Sequence, residues 1–351
     1  MRSETENLLM NHFSYSQAFE LEAGSILPEI RIAYHSYGNL NEDKSNVVWI
    51  CHALTANSDA VDWWPGVVGT GKVIDPEKYF IVCANILGSC YGTTGPLSIN
   101  QNTNEPYYND FPLITIRDMV KAHMLLCRHL GIKKIYLLMG GSMGGYQALE
   151  WAVMENDLIE NMFLLATSAS ESAWGIATHT AQRLSIEADG SWMENSPQAA
   201  SKGLKAARAI GMLTYRNYGI LVEKQTDTDT EKLDNYKASS YINHQGEKLV
   251  SRFNAYSYWL LTKAMDSHHL ARGRAQGLKA VLQSIKQKTL IIGISSDILC
   301  PPHEQEFLAH HLGHATFIGI DSAYGHDGFM VESEKISHYL SGWLETESIK
   351  Y

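Results

Sequence analysis

The chain has 351 residues, 45% hydrophobic and 19% charged, a balance that excludes long-range disorder and collagen-like repeats. The length allows one large domain or two smaller ones, with core enough to need no disulfide or metal staple. Twenty-eight Lys and Arg against 38 Asp and Glu give a net charge of −10 with no basic run, so nucleic acid is not an expected partner.

Up to about residue 168, short apolar β-rich runs alternate with helical patterns. Strands are predicted at 30–37, 47–51, 79–84, 134–138 and 162–166. VVWI at 47–50 and IYLLM at 135–139 are continuously apolar, as in strands of a parallel sheet covered on both faces. Residues 116–130 have helical spacing and end at Gly131, a plausible stop. From about 169 to 285 strand-like runs vanish. Residues 182–192, 197–215 and 252–266 read as helices, and the polar stretch 223–240 reads as a loop or a frayed helix end. Strand texture returns at 288–294 and 315–320, with a helix-like run at 302–312 between them. These patterns predict an α/β fold: a mostly parallel sheet flanked by helices, built from 1–168 and 286–351 and interrupted by a helical lid at 169–285.

The strongest local signal is Gly140-Gly141-Ser142-Met143-Gly144, a G-x-S-x-G run. An apolar strand leads into it and a helical pattern leads out, so Ser142 would sit exposed on a sharp, strained turn at a helix N-terminus. A serine nucleophile needs a base, and the base needs an orienting acid. On such a sheet the acid follows a late strand and the histidine follows the last one. Asp297 directly follows LIIGISS, and His326 follows FIGI. The oxyanion hole would take one amide from Met143 and one from the loop after VVWIC, where Leu54 is the expected donor.

Other patterns carry less. The run 66–73 nearly matches a phosphate-binding G-x-x-x-x-G-K-[ST] loop, but Val73 has no hydroxyl to offer a metal. His303-Glu304 lacks a second histidine at the required spacing, and His310 and His314 lack a third ligand, so no metal site is expected. Cys90 reads as a small packing residue. The five cysteines, Cys51, Cys83, Cys90, Cys127 and Cys300, form no C-x-x-C pair and suit reduced thiols in the cytoplasm. The N-terminal stretch lacks a signal-peptide core, and no window approaches the about 18 apolar residues of a membrane span.

Longer strings narrow the chemistry. HALTANSD at 52–59, NILGSCYGTTGP at 85–96, GGSMGGYQALEWA at 140–152, ARAIGMLTYRN at 207–217, SSDILCPP at 295–302 and GHDGFM at 325–330 occur in this order. Together they resemble the homoserine O-acetyltransferase family of the α/β-hydrolase superfamily, over about residues 30 to 345. Ala56 departs from the glycine common at its place in that family. The resemblance implies acyl transfer, usually from acetyl-CoA as co-substrate with no bound cofactor, to the hydroxyl of L-homoserine in methionine synthesis. It implies Ser142 as nucleophile, Asp297 as orienting acid and His326 as base. It further implies that Arg208 pairs with the homoserine carboxylate, that Asp327 binds its amino group and that Tyr215 is a substrate or acyl contact. A guanidinium and a carboxylate suit a zwitterion. A homodimer is the corresponding expectation. Succinyl transfer and plain ester or thioester hydrolysis remain as alternatives, because related enzymes share the same machinery.

Overall fold

The computed structural model describes residues 10–348. An eight-stranded sheet forms its centre. The strands are β1 (Asn11–Tyr15), β2 (Ile30–Tyr37), β3 (Val47–Cys51), β4 (Phe80–Ala84), β5 (Ile135–Gly141), β6 (Ile159–Leu165), β7 (Lys288–Ile294) and β8 (Ala315–Ile320). They lie in the order β1-β2-β4-β3-β5-β6-β7-β8. β2 pairs antiparallel with β1 and with β4; from β4 through β8 every pairing is parallel. The expected mostly parallel sheet is therefore observed.

The continuous apolar runs have a simple cause. All five residues of β3 are buried; Trp49 joins the core on one face of the sheet, while Val48 and Ile50 join the core on the other. Side chains alternate between faces, so a strand covered on both sides has no polar positions. Helix α1 (Ile116–His129) opens with a capping box between Thr115 and Asp118, and helix α2 (Met143–Met154) follows β5 with no loop beyond Ser142.

Between β6 and β7 the described regular elements are helical. They include α3 (Ala173–Glu187), α4 (Ser201–Tyr215), α5 (Tyr218–Gln225), α6 (Lys237–Val250) and α7 (Ala255–Asp266). The two ends of this excursion are tied at its base: Glu171 N donates to His268 O and Leu270 N to Ala169 O, both at 2.9 Å. Helix α8 (Pro302–His311) joins β7 to β8, and α9 (Ser333–Ser348) closes the chain's described part.

Several boundaries differ from the sequence expectation. The helix expected at 182–192 starts earlier, at Ala173, where Ser172 caps it, and stops at Glu187. The polar stretch at 223–240 ends one helix, crosses a loop and begins α6. β5 runs through Gly141, three residues past the expected end, and so delivers Ser142 directly at the sheet edge. No described helix is long and apolar enough to cross a membrane.

Candidate active site

Parallel strands place their carboxyl ends on one edge of a sheet, and loops there converge. Four of those loops carry the candidate residues: 52–54 after β3, Ser142 after β5, Asp297 after β7 and His326 after β8.

Ser142 has φ 54° and ψ −127°, a left-handed conformation that costs a residue with a Cβ about 1–3 kcal/mol. Its backbone is pinned by a hydrogen bond from its N–H to Leu165 O (2.9 Å) and by one that its carbonyl accepts from Thr167 Oγ1 (2.8 Å). The glycines around it meet a spatial demand. A Cβ on Gly144 would run into the Cys51 carbonyl, and one on Gly140 into the backbone of Gly144. The turn can pack against the end of β3 and fold α2 back over β5 only because those side chains are missing.

His326 and Asp297 complete a relay. Ser142 Oγ donates to His326 Nε2 at 2.9 Å, and His326 Nδ1 donates to Asp297 Oδ2 at 2.7 Å. The other Asp297 oxygen accepts the amides of Leu299 (2.8 Å) and Cys300 (2.9 Å), which fixes the carboxylate plane. Asp297 is fully buried and the His326 side chain is 5% exposed. Burial works against charging His326, but the Asp297 charge and hydrogen bond outweigh it, and the pKa is raised above the ordinary 6.5. Close by, burial and then the charges of Glu171 and Asp297 push Glu304 up to about 7.

Leu54 lies on the loop after β3, and Met143 is the first residue of α2, directly after Ser142. Among the described residues neither amide has an acceptor within the chain. The loop is braced from behind. Gln147 Nε2, on α2, donates to His52 O (3.1 Å), and His52 Nε2 accepts the Ile86 amide (3.2 Å). His52 is wholly buried, and that burial drives its pKa down to about 4, so its imidazole is neutral.

The three residues assigned to substrate by resemblance gather around His326. Tyr215 lies with its ring centroid 6.0 Å from that of His326, and the Arg208 guanidinium lies 5.2 Å from the Tyr215 centroid. Asp327 is adjacent in sequence to His326, and its carboxyl feels the charges of Arg216, Arg208 and His326; burial nevertheless holds its pKa above the usual value. Arg216, whose Nε lies 3.0 Å from Asp327 Oδ2, was not singled out from sequence. The only hint was its place in the LTYRN string. His52 and Gln147 were equally silent as supports.

The weaker patterns have structural explanations. The amide of Gly71, in the phosphate-loop lookalike, already donates to Asp75 Oδ2 at 2.9 Å. The thiol of Cys90 is pushed up to about 12 by burial and donates to Arg252 O. Among the described residues no cluster of His, Cys, Asp or Glu is arranged to hold a metal ion.

Comparisons agree with this geometry. A family model described as the alpha/beta hydrolase fold matches residues 46–333. A homoserine O-acetyltransferase of Cyclobacterium marinum is 46% identical over 331 residues, covering 94% of this chain and 94% of that protein. The crystal structure of homoserine O-acetyltransferase from Bacillus anthracis superposes with TM-score 0.87 at 25% identity, over 95% of this chain and 97% of that one. A mutant of esterase E22 superposes with TM-score 0.84 at 25% identity, over 95% of this chain and all of that one. The chain belongs to the homoserine O-acetyltransferase family, within the α/β-hydrolase fold.

Proposed function

We propose that this protein transfers an acetyl group from acetyl-CoA to the hydroxyl of L-homoserine, a step of methionine synthesis, by a two-step mechanism through acetyl-Ser142. The observation that carries the reading is the Ser142–His326–Asp297 relay inside a chain nearly half identical to a homoserine O-acetyltransferase.

His326 Nε2 takes the Ser142 proton as Oγ attacks the thioester carbon. The developing oxyanion would be met by the Leu54 and Met143 amides, each such donor being worth about 3–4 kcal/mol. The C–S bond then breaks, and the proton on His326 leaves with the CoA thiol. Homoserine enters; His326 removes the proton of its hydroxyl, the oxygen attacks the acetyl carbonyl, and the C–O bond to Ser142 breaks as the proton returns to the serine. Arg208 would take the homoserine carboxylate and Asp327 its ammonium, with Tyr215 lining the same space. No resident cofactor or metal is required, and acetyl-CoA acts as co-substrate.

The helices between 169 and 285 serve, in this reading, as a lid on a core made of the rest of the chain. A lid suits a transferase, because water must be kept from the acyl-enzyme. Exposed apolar side chains on or beside its helices (Leu213 58%, Tyr218 81%, Val222 44%, Leu233 92%) support a homodimer formed through the lid. The free thiols suit the reducing cytoplasm.

The esterase relative favours a second reading, hydrolysis of a small ester. Purified enzyme supplied with acetyl-CoA decides between them. CoA release that depends on homoserine and yields O-acetylhomoserine supports transfer; release at the same rate without homoserine supports hydrolysis.

A further inference from the structure

We propose that Arg216 is a positioning residue for the amino-alcohol acceptor: it anchors the Asp327 carboxylate beside His326, so that Asp327 meets the acceptor's ammonium as an oriented anion. The inference rests on the acceptor reading given above. Arg216 is the C-terminal cap of α4, its own amide held by Met212 O at 3.1 Å. Its Nε lies 3.0 Å from Asp327 Oδ2 in a charge contact that lacks hydrogen-bond alignment, and the two side chains are only 26% and 20% exposed.

The two backbones are locked together as well. Gly325 has φ +65°, and a Cβ there would stand 2.7 Å from Tyr215 O and 2.8 Å from Asn217 N. The His326 loop therefore rests directly on the end of α4, which keeps the Cα atoms of Arg216 and Asp327 at a fixed separation.

Charge accounting gives Arg216 a purpose. Asp327 is faced by Arg216 and Arg208 from α4, by His326 beside it and by Asp297 after β7. With Arg208 and Asp327 alone, the pocket would hold one cation and one anion free to pair with each other, cancelling recognition of a zwitterion. Arg216 occupies one side of Asp327, and among the described residues Arg208 forms no ion pair. Arg208 thus stays open for a carboxylate. Arg216 also opposes the burial that favours a neutral Asp327, and a neutral carboxyl would not hold an ammonium.

The test compares native enzyme, R216Q and R216K by homoserine kinetics from about pH 6 to about pH 8.5, and by the burst of acetyl-Ser142 from acetyl-CoA alone. R216Q is expected to raise the homoserine KM about tenfold near neutral pH, the pair being discounted for its partial contact with solvent, while the burst stays within about twofold. The penalty should shrink as pH rises, because a buried carboxyl deprived of its cation ionises later, and R216K should restore most of the affinity. An unchanged homoserine KM and acid limb in R216Q, with native enzyme turning homoserine over, overturns this inference alone. So does equal loss of the burst in R216Q and R216K, which marks Arg216 as a scaffold only. Native enzyme that forms acetyl-Ser142 but passes the group to no amino alcohol overturns the acceptor reading, and this inference with it.

Discussion

The imidazole of His326 and the carboxylate of Asp297 meet at 2.7 Å with almost no access to water. That contact raises the histidine's pKa, and the sign of its effect on activity follows. Only neutral His326 can accept the Ser142 proton. Acylation should therefore rise with pH through a value above 6.5, the ordinary histidine pKa. Asp297→Asn should move that limb downward and cut kcat by up to about 10⁴-fold, since the orienting acceptor is lost. A pH profile of acetyl-Ser142 formation checks both; an acid limb that does not respond to the substitution contradicts the assignment.

A second prediction concerns the loop after β3. His52 Nδ1 donates to Ala53 O at 2.9 Å, and the Ala56 amide reaches the same oxygen at 3.1 Å. In a trans peptide the carbonyl and the next N–H point opposite ways. Fixing Ala53 O thus aims the Leu54 N–H away from His52, where an oxyanion donor is needed. His52→Ala should lower kcat about 10- to 1000-fold, as loss of an oxyanion donor does, with little change in either KM. Steady-state kinetics on folded variant, confirmed by circular dichroism, measure it. Both KM values rising with kcat intact would be the contrary result.

Substrate recognition should divide between the half-reactions. Arg208→Ala and Asp327→Asn are expected to raise the homoserine KM about 10- to 100-fold while leaving acetyl-CoA KM nearly unchanged, because each removes one charge-assisted contact to the zwitterion. Initial rates with each substrate varied in turn show the split. Equal effects on both substrates would point to a disturbed pocket.

Much of this machinery was legible because it is local. A strand, a glycine-flanked serine and a helix follow one another without a break from Ile135 to Met154, and the chain order of acid and histidine follows the strands. The features that were not legible lack a local signature. α6 begins inside the polar stretch 223–240 and buries only Gly246 and Leu249, so its start is masked by polar residues. β1 is a short edge strand in which only Phe13 and Tyr15 are partly buried, too few positions to stand out as a strand. Arg216 owes its importance to Asp327, more than a hundred residues further along the chain, and nothing around position 216 announces that partner. Supports such as His52 act through backbone atoms, which leave no mark on composition.

Stability should depend on an ion network remote from the chemistry. The nearly buried Glu150 carboxylate on α2 pairs with Arg117 on α1 and with Arg274 Nη2 at 2.5 Å, and Arg117 also pairs with Glu22. Glu150→Gln leaves two guanidinium groups short of a partner, an arrangement that costs about 3–5 kcal/mol when buried and less here, where both arginines retain some solvent. Thermal unfolding should show a clearly lower Tm, with the acylation burst per folded molecule preserved. An unchanged Tm would mean the network is neutral.

The central claim is that Ser142 carries the acyl group between two substrates. Mass spectrometry of the intact protein and its Ser142 peptide, after acetyl-CoA alone and then after a homoserine chase, tests it most directly. The account predicts one acetyl group on Ser142 in the first sample, its loss with formation of O-acetylhomoserine in the second, and no acetylation in Ser142→Ala. An unmodified Ser142 in an enzyme that still makes O-acetylhomoserine, or an Ala variant that remains active, would contradict it.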